Sequence, residues 1–165
     1  MEYTMENMIK VGMADLNTAV SPNALTTLGL GSCVGIVLFD PTKKIGGMAH
    51  VMLPDSTKIR NNENKAKFAD TGIDLLLSKM LSLGASKERL IAKLAGGAQM
   101  FALKSELEFM NVGKRNVEAS KQRLKELKIP IIAEDTGLNY GRTIEFYTQT
   151  GELIIKAVGK QIAVI

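Results

Sequence analysis

Residues 34–53, VGIVLFDPTKKIGGMAHVML, set two apolar runs around a turn-forming segment. VGIVLFD (34–40) is a continuous apolar stretch of strand length. IGGMAHVML (45–53) reads as the strand that returns beside it. Pro41 after Asp40 marks the turn between them. A buried hairpin at this position makes a sheet the centre of the fold.

The neighbouring segments extend that sheet. Upstream, MIKVGM (8–13) and ALTTLGL (24–30) read as strands around a polar turn, NTAVSPN (17–23). Downstream, PDSTKIRNNENK (54–65) is a polar loop, long for a compact domain, and loops of that length often carry function. Ala69, Ile73, Leu76, Leu77, Met80 and Leu83 form one stripe of a helix over 66–83, ended by Gly84. LIAKLA (90–95) is a short strand running into GGAQMF. A second helix covers about 113–128, with Asn111 as its cap and Pro130 beyond its end. PIIAED (130–135) reads as a strand, RTIEFYTQ and ELIIKAV as a hairpin about Thr150 and Gly151, and QIAVI as a final edge strand. The sum is an α/β sandwich with a mixed, mostly antiparallel sheet and two main helices.

The bulk composition narrows the function. The 165 residues fit a single domain, 1–165, able to bury its own core. Net charge is +4, but the lysines are spread along the chain in no compact tract. Aromatics are 5% and Trp is absent, which argues against nucleic-acid binding by stacking. A weak attraction to an acidic protein partner fits the same charge. One cysteine excludes an intramolecular disulfide, and one histidine leaves no Cys/His cluster for zinc, so neither metal nor cofactor is expected. MEYTMENMIK at the amino terminus lacks the apolar core of a signal peptide. No apolar run approaches the roughly 18–20 residues that span a bilayer. The expectation is a reduced, cytoplasmic protein without membrane insertion.

The lone cysteine follows a glycine-rich stretch, TLGLGSC (27–33). Gly29, Gly31 and Gly35 are spaced one residue too far for a dinucleotide fingerprint, and a strand follows where that motif needs a helix. Taken alone, Cys33 reads as a small buried hydrophobe and His50 as a satisfied core residue. Strand register favours a different reading. A turn centred between Pro41 and Thr42 sets Cys33 directly opposite His50, with Cβ atoms roughly 4.5–5.5 Å apart. A one-residue change in the loop turns the histidine to the other face.

A thiol is mostly protonated at neutral pH, and a neighbouring imidazole can take its proton and later return it to a leaving amine. A third group normally holds such a base. The residues alone leave Thr26, Thr27, Ser32 and Asp135 open for that role. Gly29 and Gly31 let backbone N–H groups turn toward an oxyanion. Ser32 reads as a turn hydroxyl, and Gly96 and Gly97 either end a strand or let a substrate approach. The expected chemistry is hydrolysis of an amide or ester through a thioester.

TLGLGSC (27–33), GGMAHVMLPDS (46–56), AGGAQMF (95–101), GKRN (113–116) and AEDTG (133–137) together resemble the chemoreceptor glutamine deamidase family CheD of bacterial and archaeal chemotaxis. The resemblance runs from about residue 8 to residue 158. It implies a catalytic Cys33–His50 pair with Thr27 as third member. It implies an α/β sandwich similar to the catalytic domains of toxins that deamidate glutamine. The substrates it implies are glutamines of methyl-accepting chemotaxis receptors, converted to glutamate and ammonia in the cytoplasm at receptor arrays. A CheC-type phosphatase, coupled to phosphorylated CheY, is the implied partner. Tuning of that phosphatase with hydrolysis weak or incidental, and hydrolysis of receptor glutamyl esters, are the competing activities.

Overall fold

The computed structural model describes residues 7–100 and 111–165. The amino-terminal reading of MEYTMENMIK through residue 6, and Phe101 of AGGAQMF, lie outside the described residues. In chain order the strands are β1 (Met8–Lys10), β2 (Leu16–Val20), β3 (Ala24–Leu30), β4 (Val34–Asp40), β5 (Ile45–Val51) and β6 (Ile91–Gly96), then β7 (Ile131–Thr136), β8 (Arg142–Tyr147), β9 (Glu152–Lys156) and β10 (Ala163–Val164). Helix α1 (Ala69–Ser82) precedes β6, and α2 (Val112–Glu126) precedes β7. Two five-stranded sheets result, in the orders β1-β3-β8-β9-β10 and β2-β5-β4-β6-β7. Each has one parallel pair, β1 with β3 and β6 with β7, and is otherwise antiparallel. The expected mixed, mostly antiparallel α/β architecture with two helices is borne out, now divided into two sheets.

All seven residues of β4 are buried. Val34, Ile36 and Leu38 face a core shared with Ile73, Leu76 and Met80 of α1 and Leu124 of α2. Val37 and Phe39 face a second core between the sheets, with Leu25, Ile144, Phe146 and Leu153. A central strand covered on both faces reads as an unbroken apolar run, which is why it was legible. The adjacent IGG works by close approach. A Cβ on Gly47 would lie 2.6 Å from Leu76 Cδ1, and one on Gly46 would lie 2.9 Å from Phe146 Cε2.

Three expectations are corrected. Residues 16–20 form an edge strand paired with β5, not part of a polar turn. Their LNTAV sequence buries only Leu16 and Ala19, too weak an alternation to register. Leu83 leaves the α1 stripe and is half exposed, because the helix ends before it. The β4–β5 register is displaced by two positions: Asp40 opposes Ile45 and Gly35 opposes His50. The cause is the buried Asp40 carboxylate, which accepts N–H bonds from Thr42 at 3.0 Å and Lys43 at 3.2 Å and so builds a longer turn. A two-position shift keeps every side chain on its face. No helix among the described residues is long and apolar enough to cross a membrane.

Candidate active site

His50 is fully buried on the inter-sheet side of β5. Its backbone is fixed by the loop before β2: its N–H donates to the Asp15 carbonyl at 2.9 Å, and its carbonyl accepts from Ala14 N–H at 3.0 Å. Thr27 reaches it from the opposing sheet, with Thr27 Oγ1 2.7 Å from His50 Nδ1. The same hydroxyl donates to the Val11 carbonyl at 2.7 Å. A hydroxyl has one proton, so its bond to Val11 leaves it only lone pairs for the imidazole. Nδ1 must then carry the hydrogen, and Nε2 carries the bare lone pair. Nε2 is buried and has no hydrogen-bond partner among the described residues. Of the candidates left open, Thr26 bonds the Ile144 carbonyl at 2.8 Å and Asp135 bonds Arg142 at 3.0 Å. Thr27 is the one that meets the ring.

Cys33 lies at the bend just before β4 and packs in the inter-sheet core with Val37, Ala95 and Ile144. It is therefore on the face that carries His50, as a diagonal rather than a direct cross-strand neighbour. Diagonal positions lie roughly 7–8 Å apart at Cα. Directly opposite His50 stands Gly35, where a Cβ would lie 2.6 Å from Ile144 Cδ1. The missing side chain lets the two sheets close over the imidazole. Burial pushes the Cys33 thiol pKa up, opposed in part by its own backbone amide. Burial also lowers the His50 pKa. Both shifts favour a neutral thiol and a neutral imidazole at rest.

The turn before Cys33 departs from regular strand. The pairing of β3 with β8 slips between Thr27 and Leu30, where Gly29 takes a left-handed conformation with φ of 71°. Gly31 N–H turns back to the Gly29 carbonyl at 3.1 Å. Leu28 is pushed out to 57% exposure at this bulge, beside the site. Ser32 is half-buried. Gly96 and Gly97 stand behind the turn and are buried. A Cβ on Gly96 would collide with the Cys33 carbonyl, and Gly97 N–H donates to that carbonyl at 2.8 Å.

Two buried polar residues at this end of the sandwich escaped the sequence reading. Asn116, on the first turns of α2, donates through Nδ2 to the carbonyls of Ser32 and Met52, each at 2.9 Å. Its signal was a polar residue on the same helical stripe as Val117, Ser120 and Leu124. Arg142 shares the inward parity of Ile144 and Phe146 on β8, and its guanidinium lies 4.5 Å over the Tyr140 ring. An arginine alternating with core residues was the clue to that one.

Residues 52–157 match the family described as CheD chemotactic sensory transduction. That match begins after Thr27, Cys33 and His50, but whole-chain relatives extend across them. The chain is 66% identical over 156 residues to the probable chemoreceptor glutamine deamidase CheD of Lachnoclostridium phytofermentans, covering 94% of this chain and 97% of that one. It is 60% identical over 152 residues to the probable chemoreceptor glutamine deamidase CheD of Caldanaerobacter subterraneus, covering 92% and 94%. It is 56% identical over 155 residues to the chemoreceptor glutamine deamidase CheD of Halalkalibacterium halodurans, covering 93% and 96%. Identity at this level, spread over both sheets and both helices, makes the chain a member of the CheD family.

Proposed function

We propose that this protein hydrolyses the side-chain amide of particular glutamines in methyl-accepting chemotaxis receptors, giving glutamate and ammonia through a Cys33 thioester. The observation that carries the reading is the buried His50 ring, met at Nδ1 by Thr27 and with Nε2 unpartnered among the described residues, on the face that also carries the chain's one thiol. The relatives named chemoreceptor glutamine deamidases supply the substrate class.

His50 Nε2 takes the thiol proton, and the sulfur attacks the amide carbon, forming the C–S bond and an oxyanion. Backbone N–H groups of the 29–33 turn, those of Ser32 and Cys33 among them, stabilise that charge, whereas Gly31 N–H is committed to the Gly29 carbonyl. The C–N bond then breaks, His50 gives its proton to the departing nitrogen, and ammonia leaves. Water, deprotonated by the same imidazole, attacks the thioester. The C–S bond breaks, the sulfur recovers its proton, and the carboxylate remains. Thr27 orients the ring throughout. Gly96 and Gly97 act from behind, by holding the turn and not by touching substrate.

In this reading the chain works as one domain, in the cytoplasm at receptor arrays. A CheC-type phosphatase coupled to phosphorylated CheY is its regulatory partner. The test is incubation with a chemoreceptor cytoplasmic fragment and peptide mapping of glutamine-to-glutamate conversion by mass spectrometry. Site-specific conversion by the native protein, lost in Cys33→Ala and in His50→Ala, is the expected result. Conversion that persists in Cys33→Ala overturns the thioester.

A further inference from the structure

Three consecutive carbonyls of the nucleophile turn are held from one side. Gly31 C=O accepts from Ala98 N–H and Cys33 C=O from Gly97 N–H, both at 2.8 Å. Between them, Ser32 C=O accepts from Asn116 Nδ2 at 2.9 Å. The outer two bonds come from backbone, and the middle one depends on a single side chain. The other hydrogen of the same Nδ2 goes to the Met52 carbonyl at 2.9 Å. The β4–β5 ladder stops at Val34 and Val51. Asn116 therefore joins the two strand ends just beyond the last rung, at Ser32 two residues before Val34 and at Met52 one residue after Val51, next to Cys33 on one side and two residues from His50 on the other.

Asn116 is itself well anchored. It is fully buried, and its carbonyl accepts from Ser120 Oγ at 2.7 Å. Gly113, one turn earlier, lets α2 approach so closely that a Cβ there would lie 2.6 Å from the Gly97 carbonyl oxygen. Both partners of Nδ2 are acceptors, which fixes the orientation of the amide and leaves Oδ1 buried without a partner among the described residues.

The peptide group is planar and trans, so a carbonyl and the N–H that follows it point in opposite directions. Drawing the Ser32 carbonyl toward α2 turns the Cys33 N–H away from α2. We propose that Asn116 is a positioning residue for the reaction: through the Ser32 carbonyl it aims the Cys33 N–H at the developing oxyanion, and through the Met52 carbonyl it fixes the spacing of the strand ends that carry Cys33 and His50. The inference rests on the reading of Cys33 as the nucleophile.

The test compares Asn116→Ala with the native protein and with Ser120→Ala, which disturbs the same helix turn but leaves both Nδ2 bonds. Four quantities are read: kcat and KM on a receptor fragment, the pH midpoint of Cys33 alkylation by iodoacetamide, and the melting temperature. Asn116→Ala is expected to lower kcat about 10–100-fold with KM within about 2-fold, less than removal of an oxyanion donor outright. Its alkylation midpoint should rise, because the Cys33 amide no longer supports the thiolate. Ser120→Ala should keep kcat and the midpoint. A lower melting temperature in Asn116→Ala with native kcat and midpoint overturns the proposal and leaves Asn116 a packing residue. If Asn116→Ala does not fold, Asn116→Leu, which keeps the bulk and removes both donor hydrogens, is read by the same criteria. Retained activity in Cys33→Ala would instead remove the nucleophile reading itself, so the two failures are distinct.

Discussion

Gly35 stands directly across the β4–β5 ladder from His50, so the catalytic imidazole proposed here has hydrogen in place of a side chain as its cross-strand neighbour. A methyl group at that position would lie 2.6 Å from Ile144 Cδ1 and 3.1 Å from Leu30 Cδ1. Gly35→Ala should therefore destabilise by about 1–3 kcal/mol through overpacking. Ile144→Val removes the nearer obstructing atom, and the double variant should recover part of the loss. Urea midpoints of the four proteins measure the coupling, and strict additivity would contradict the close approach of the sheets.

Thr27→Val preserves shape and removes the hydroxyl that joins Val11 to His50. It leaves a buried N–H and a carbonyl unpartnered, a cost of about 1–3 kcal/mol for each orphaned group. The freed ring loses its orientation, and deamidation should fall by about 100-fold. Thr27→Ser keeps the hydroxyl and should retain most of the rate. Steady-state kinetics on a receptor fragment separate the two, and equal loss in both variants would count against the hydroxyl.

Burial lowers the His50 pKa below its ordinary value of 6.5. The unfolded imidazole then binds a proton more tightly than the folded one, so protonation favours unfolding. The contribution of His50 to stability is complete above about pH 6.5 and declines as the pH falls below it. Denaturation curves between pH 7.5 and pH 5 should show a slope that His50→Gln lacks. The same shift places the acid limb of kcat/KM below about pH 6.5.

Asp40 is buried while accepting N–H bonds from Thr42, Lys43 and Ser86 and bonds from Arg89, the shortest at 2.9 Å. Desolvation opposes its ionisation, but the Arg89 guanidinium and these N–H groups outweigh it and hold the carboxyl well below the usual range. A depressed carboxyl stabilises the fold above about pH 3.9 and loses that contribution as the pH falls further. Asp40→Asn should lower the melting temperature at pH 7 and flatten the acid-unfolding transition. The DPTKK turn depends on this carboxylate, so Cys33 alkylation should also become heterogeneous. An unchanged melting temperature would show the turn to be self-sufficient.

Much of this was readable before any coordinate. β4 announced itself because both of its faces are buried, and α1 because its stripe repeats at helical spacing. The register that set Cys33 directly opposite His50 is two positions off; the two residues still share a face because side chains alternate with a period of two. The length of the turn was hidden because the Asp40 carboxylate that builds it is buried and held by Ser86 and Arg89, far along the chain. β2 was hidden because an edge strand needs little apolar surface. Asn116 could not be placed, since its partners at residues 32 and 52 are distant in sequence and both are carbonyls, which no residue identity reveals.

The group behind His50 is a neutral hydroxyl whose own proton is committed to Val11. A carboxylate in that place would stabilise an imidazolium and let a zwitterion of thiolate and imidazolium persist. A dipole offers far less. The ring, once charged, remains a strong acid inside an apolar sandwich and gives up its proton readily. Expelling ammonia demands such a donor, and a poor reservoir for charge is well suited to an enzyme whose leaving group must depart protonated.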